Sequence, residues 1–350
     1  MKLLAVIGLG LLIPSWLCRK LDYPTEDWLR TQRGFNPVKE QERLSQEKPD
    51  WVLIGNSMLG TRIDEEKLSE ISGLHACKVY RPGSQSAVWF LILKQLVLKS
   101  EARPKWITVF FRETDLTWPD FRVDGLQEGG IRALNGHEQP EWHAVLRRDA
   151  TLVDRTLDYT SSTLKSLLPS FHLNQRAHDY VQSKPMRLTR VGNRLGVDDR
   201  RAELNERFAL YHLRDDLGSD AAPSIDLDDD PASDFYRHGP QVFDPSPSAS
   251  FLPHMINVAN EHDIRLHFHR IKQRPRKAGG DRQDSPERAA YMRALREWLA
   301  SQGCVFTDET KDPTLTLDMY ADGDHIKVSR AVRDKYHAAF WSRVKTAIVP

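Results

Sequence analysis

An α/β domain built on a parallel sheet is expected of this chain, on three observations. Trp51-Val52-Leu53-Ile54 is a short apolar, partly β-branched run that stops at Gly55-Asn56-Ser57, as a buried strand does when the chain turns sharply at its carboxyl end. Strand-like and helix-like segments then alternate from residue 51 to residue 111, the βαβ rhythm that parallel pairing needs. The alternation returns after residue 250.

In chain order, Glu65 to Ile71 reads as a short helix and Cys77 to Tyr80 as the second strand. Arg81-Pro82-Gly83-Ser84 reads as a turn before an amphipathic, apolar helix from Ala87 to Lys99, and Trp106 to Phe111 as a third buried strand. Residues 119–245 lose the rhythm. Apolar residues at helical spacing from Val145 to Leu168 predict one or two helices of a cap, and residues 215–250 read as a long acidic, Pro- and Ser-rich loop. The scaffold resumes with a helix over Phe251 to Glu261 and the strand Ile264 to His269. Ser285-Pro286-Glu287 then caps a helix reaching Ala300, before the strand Cys304 to Thr307 and a last helix from Val328 to Trp341.

Ser57 stands where α/β folds place their chemistry, just past the carboxyl end of a strand. Three other readings of these letters fail. A phosphate-binding loop needs Lys after its second glycine, and Thr61-Arg62 follow Gly60; the dinucleotide fingerprint needs glycine at 57; the nucleophile elbow of α/β-hydrolases needs glycine where Leu59 stands. Taken alone, such a serine caps the next helix. A second stretch, Asp322-Gly323-Asp324-His325, puts a carboxylate three residues before a histidine in one short loop. An imidazole so placed can take a serine's proton while a carboxylate fixes its tautomer.

Gly55-Asn56-Ser57 early and Asp322-x-x-His325 late together resemble the SGNH (GDSL-like) hydrolase superfamily, over residues 50–115 and 250–345. The resemblance implies a three-layer, flavodoxin-like domain with strand order 2-1-3-4-5 and a helical insertion. It implies Ser57 as nucleophile, His325 as general base and then acid, and Asp322 as the carboxylate that orients it, with Asp324 a competitor. The oxyanion would be received by the amides of Ser57 and Gly83. The superfamily's third donor, an asparagine after the third strand, is absent: Arg112 stands there, either replacing it or paired with Glu113 or Asp115. Members with membrane anchors, similar to alginate and teichoic-acid modification proteins, move acyl groups on cell-envelope polysaccharides beside a membrane-embedded acyltransferase. An acyl-ester or polysaccharide substrate and such a partner are therefore implied here. A small-ester or lipid esterase and a non-catalytic assembly protein are the rival readings, the missing asparagine favouring the last.

Composition adds limits. Fifty basic and 49 acidic residues in 350 give a net charge of +1, which does not suggest nucleic acid. Leu3 to Cys18, behind Lys2, is the one strongly apolar run. It reads as an uncleaved signal anchor in preference to a cleaved signal peptide. Residues 1–20 are thus expected to tether the chain to a membrane and 21–49 to connect it to the catalytic domain, residues 50–118 and 246–350, with 119–245 as the cap. The flanking charges choose no side of the membrane; the resemblance implies the extracytoplasmic one. Cys77 and Cys304 fall on strands that the implied order puts at opposite edges, so no disulfide is expected between them. His267-x-His269 points to one face of its strand without a ligand cluster nearby, so packed histidines, no metal and no cofactor are expected. The basic run Arg270 to Arg276 reads as a solvated loop or an attractor of anionic polymer.

Overall fold

A computed structural model describes residues 35–119, 123, 131, 134, 140–146, 246–275 and 284–348. All of them belong to one of the two units into which the chain divides, residues 29–148 with 223–350. The expected anchor and nearly all of the expected cap lie outside the described residues. Among the described residues no helix is long and apolar enough to cross a membrane.

The elements follow the predicted rhythm. After helix α1 (Pro37–Glu47) come β1 (Trp51–Gly55), α2 (Ser57–Arg62), α3 (Glu65–Ser72), β2 (Ala76–Tyr80), α4 (Ser86–Leu91), β3 (Trp106–Phe111) and α5 (Pro140–Leu146). The second half supplies α6 (Leu252–Glu261), β4 (Arg265–Arg270), α7 (Pro286–Ser301), β5 (Val305–Asp308), a small hairpin of β6 (Tyr320–Asp322) and β7 (His325–Ile326), and α8 (Arg330–Ile348). The first five strands form one sheet in the order β2-β1-β3-β4-β5, every pair parallel.

Helices cover both faces, giving three layers. Side chains of a strand alternate between faces, and the two cores follow that parity. Val52, Ile54, Ile107, Val109, Phe111, Leu266 and Phe268 pack with α4, α6 and α7, whereas Trp51, Leu53, Trp106 and Phe110 pack with α2, α3 and α8. On the second face Phe340 of α8 stacks on Trp51, with ring centres 5.9 Å apart, and meets Phe110 at 5.3 Å. Burying a large apolar side chain contributes about 1.5–3 kcal/mol, so a strand apolar on both faces, such as β1 or β3, belongs inside the sheet.

Two local expectations change. Residues 37–47, read as part of a connector, form a helix capped by the Asn36 side chain, and it buries Leu44 against the first core. The helix after the Arg81–Ser84 turn is not amphipathic in place. It runs on as a π-helical stretch, Ile92–Val97, and both parts are buried at every residue except Lys94. Its outer side is covered by α1, tied there by Gln41 to the Lys99 carbonyl and by the Glu101 amide to Ser45. An apolar helix can be buried all round when a second helix supplies the polar surface.

Candidate functional site

Four chain segments meet beyond the carboxyl ends of β1, β2 and β3. In the first, Asn56 caps α2: its side chain accepts from the Met58 amide at 3.1 Å, and its carbonyl from the amides of Leu59 and Gly60. The first four amides of a helix lack intrahelical partners. Of these in α2, the amides of Met58 and Leu59 are engaged by Asn56, whereas that of Ser57 makes no hydrogen bond among the described residues. The Asn56 Nδ2 also donates to the Ser84 carbonyl at 3.4 Å, linking this turn to the next.

That next turn, Arg81 to Ser84, closes through the Ser84 amide and the Arg81 carbonyl at 3.2 Å, and Gly83 has φ +68°. Proline second and a left-handed residue third make a type II turn, whose third place suits glycine. The peptide between Pro82 and Gly83 is not used in closing the turn, and the Gly83 amide likewise has no partner among the described residues. Ser57 and Gly83 therefore each offer a backbone N–H.

The base arrives on the hairpin. His325 Nε2 lies 2.8 Å from Ser57 Oγ, across 268 residues of chain. Both side chains are half-buried. Where the sequence reads a loop, Asp322 and His325 are paired across β6 and β7, so a two-residue turn, Gly323-Asp324, sets the angle of the imidazole. The Asp322 side chain lies outside the described residues.

Asp324 is held at each of its acceptor groups. One carboxylate oxygen pairs with Arg112, the other accepts from the Arg274 amide at 2.9 Å, and its carbonyl accepts from Arg62 at 2.7 Å. Burial would raise its pKa, but Arg112 and the Arg274 amide outweigh that and lower it. Asp324 is thus the fastening of the hairpin. Arg112 is not paired as the sequence suggested: its own amide donates to Asp115 at 3.1 Å, while its guanidinium goes to Asp324. Asp115 is buried and accepts also from Gln85 at 2.7 Å. Burial pushes its pKa up to about 7, against the lowering by Arg112. The adjoining Glu113 has φ +45° and binds Gln273 and Arg288.

The described part of the basic run, residues 270–275, is turned inward, which corrects both readings of it there. Arg270 pairs with Asp284 and Asp308, Lys272 donates to the Asp312 carbonyl at 2.7 Å, and Arg270, Lys272 and Arg274 are all buried. His267 and His269 sit in a buried polar chain that crosses the sheet. The Trp51 indole N–H reaches Thr108, Thr108 reaches His267, Thr307 bridges His267 and His269, and His269 meets Glu309 at 3.0 Å. Trp51 can only donate and the Glu309 carboxylate can only accept, so Thr108 accepts from the indole at one end of the chain and His269 Nε2–H donates to Glu309 at the other. Burial, with His269 beside it, lowers the His267 pKa well below its ordinary value.

Among the described residues one group of ligating side chains gathers, Glu47, His75 and Cys77, within 4.8 Å of one another. It lies at the amino end of β2, away from Ser57; Cys77 donates to Glu47 at 2.8 Å, and Glu47 and His75 are exposed. Cys77 and Cys304 lie at opposite edges of the sheet and are free thiols.

Arg62 and Glu309 escape sequence reasoning, as does the part Asp324 plays in holding the hairpin. No motif marks them, because their partners are backbone carbonyls and side chains distant in the chain. No protein-family model matches this chain, and no curated protein matches it.

Proposed function

We propose that this chain is a serine-dependent acyl-transfer or ester-hydrolysis protein of SGNH type, acting on acyl groups of a cell-envelope polysaccharide. The observation that carries the reading is the 2.8 Å contact between Ser57 Oγ and His325 Nε2. That distance is within reach of general-base catalysis.

In the proposed reaction the neutral imidazole accepts the Ser57 proton at Nε2, so its Nδ1 carries hydrogen and needs an orienting acceptor. The resemblance assigns that part to Asp322; the engagement of Asp324 elsewhere favours the same assignment. Ser57 Oγ attacks the acyl carbonyl, and the oxyanion is received by the amides of Ser57 and Gly83. The imidazolium then protonates the leaving oxygen, and an acyl-serine remains. Water or a sugar hydroxyl, deprotonated by His325, attacks that ester and restores the serine. Polysaccharide as acceptor rests on the resemblance together with the apolar segment at residues 3–18.

A second reading, a catalytically silent assembly protein, is favoured by one observation: Arg112 occupies the asparagine position but is committed to Asp324, leaving two oxyanion donors. Loss of one such donor costs about 10²–10³ in turnover.

The deciding experiment is intact-protein mass spectrometry after exposure to p-nitrophenyl acetate, beside Ser57→Ala and His325→Ala. Acylation on Ser57 that vanishes in both variants is expected. A folded wild-type protein that takes up no acyl group and turns over no ester would move the assignment to the assembly protein.

A further inference from the structure

Beneath the site lies a cation that the reaction above does not use. Arg62 ends α2, and its side chain is fully buried. Its Nη1 donates to the Asp324 carbonyl at 2.7 Å and to the Met58 carbonyl at 3.4 Å; its Nη2 donates to the Lys272 carbonyl at 3.0 Å. Those acceptors belong to the helix that carries Ser57, the turn that carries His325, and the loop after β4 that holds Asp324. Glu309 Oε1 stands 3.5 Å from Arg62 Nε as counter-charge, and the rings of Tyr336 and Tyr320 lie at 5.8 and 6.0 Å. Glu309 is fastened in turn by His269 and Tyr336, each at 3.0 Å, and by the Lys272 amide at 2.9 Å.

We propose that Arg62 is the positioning residue of the Ser57–His325 pair, an inference that rests on the acyl-transfer reading above. A planar guanidinium presents donors in fixed, divergent directions, so one rigid group can set three backbone segments against each other. An ammonium is a single nitrogen on a flexible stem and cannot span the same carbonyls. Glu309 keeps the buried charge compensated, and the polar chain through His269, Thr307 and His267 anchors Glu309 to the sheet. The spacing of nucleophile and base is then set by Arg62, because it joins the helix that carries Ser57 to the turn that carries His325. A displacement of about 1 Å at such a pair can cost on the order of 10²-fold in rate.

The test uses the full chain and compares wild type with Arg62→Lys and Glu309→Gln. The rate of Ser57 acylation by p-nitrophenyl acetate is followed by intact mass and normalised to the folded fraction from near-ultraviolet circular dichroism. The Nε2 resonance of His325 is followed by ¹⁵N-imidazole NMR. The expected result for Arg62→Lys is a fall of about 10–100-fold in the limiting acylation rate, little change in half-saturating ester, and a shifted His325 Nε2 resonance. A merely structural part would scale activity with folded fraction and leave the resonance in place. A folded Arg62→Lys protein with the wild-type rate and resonance overturns the proposal. If Arg62→Lys does not fold, Glu309→Gln decides: the same changes in smaller measure support it, and an unchanged rate and resonance overturn it. If wild type is not acylated, the acyl-transfer reading falls by itself, and the His325 resonance alone decides whether Arg62 sets the pair.

Discussion

Replacing Asp324 by asparagine isolates the fastening of the histidine hairpin. Asparagine keeps an acceptor for the Arg274 amide and keeps the backbone carbonyl for Arg62, but it removes the charge opposite Arg112. The pair is largely shielded, with side-chain exposure of 6% for Asp324 and 22% for Arg112. Arg112 Nε is also buried without a hydrogen-bond partner among the described residues. Breaking a buried ion pair from one side costs about 3–5 kcal/mol, and the residual exposure of Arg112 argues for the lower end, about 3 kcal/mol. In a domain of this size each kcal/mol moves the melting temperature by about 2–4 °C, so Asp324→Asn should melt about 6–12 °C below wild type at neutral pH. The sign with pH follows from the lowered pKa of Asp324. Its contribution is present above the unfolded carboxylate value of about 4 and is lost as pH falls through the lower folded value. The gap between the two proteins should therefore be full at neutral pH and close as the solution is acidified below about 4. Thermal melts by circular dichroism at several pH values measure this. A variant that melts within about 2 °C of wild type at neutral pH would refute the reasoning that this pair holds the hairpin.

Three further outcomes are expected. Thr307→Val removes the hydroxyl that joins His267 and His269 at 2.7 Å each; one donor and one acceptor are orphaned, so urea unfolding should register a loss of about 2–4 kcal/mol. His337 is buried neutral, accepts from the Asp64 amide at 2.9 Å, and has its pKa lowered to about 4 chiefly by burial. Its neutral form contributes stability that is full above about 6.5 and declines toward pH 4, by about 3 kcal/mol over the window. The difference in stability between wild type and His337→Gln should therefore change across that range, and a difference independent of pH would count against it. Gly60→Ala would set a Cβ 2.5 Å from the Tyr80 ring; overpacking of this kind costs about 1–3 kcal/mol, visible as a lowered urea midpoint, while a wild-type midpoint would mean the ring moves aside freely.

Much of the scaffold was legible because parallel strands buried on both faces leave a continuous apolar run, as in Trp51–Ile54 and Trp106–Phe111, and helices between them leave a different period. The turn residues were legible for a local reason too: Pro82-Gly83 needs only its own φ angles, and Asn56 caps the helix that follows it. What misled was charge. Arg270, Lys272 and Arg274 read as solvated, yet carboxylates and carbonyls on other elements draw them inward, and nothing in a basic run says which partners the fold will bring. Arg112 was weighed against Glu113 and Asp115, its neighbours in sequence, whereas its partner lies 212 residues away.

By itself the sequence determined the layered α/β scaffold, the serine at a strand end and the histidine near the carboxyl terminus, since periodicity, turn chemistry and short spacings are properties of neighbouring residues. Tertiary structure alone decided that His325 reaches Ser57, that Asp324 is a fastening, and that Arg62 and Glu309 lie buried between them. Those are pairings across hundreds of residues, where geometry and exclusion of water, and no local pattern, choose the partner.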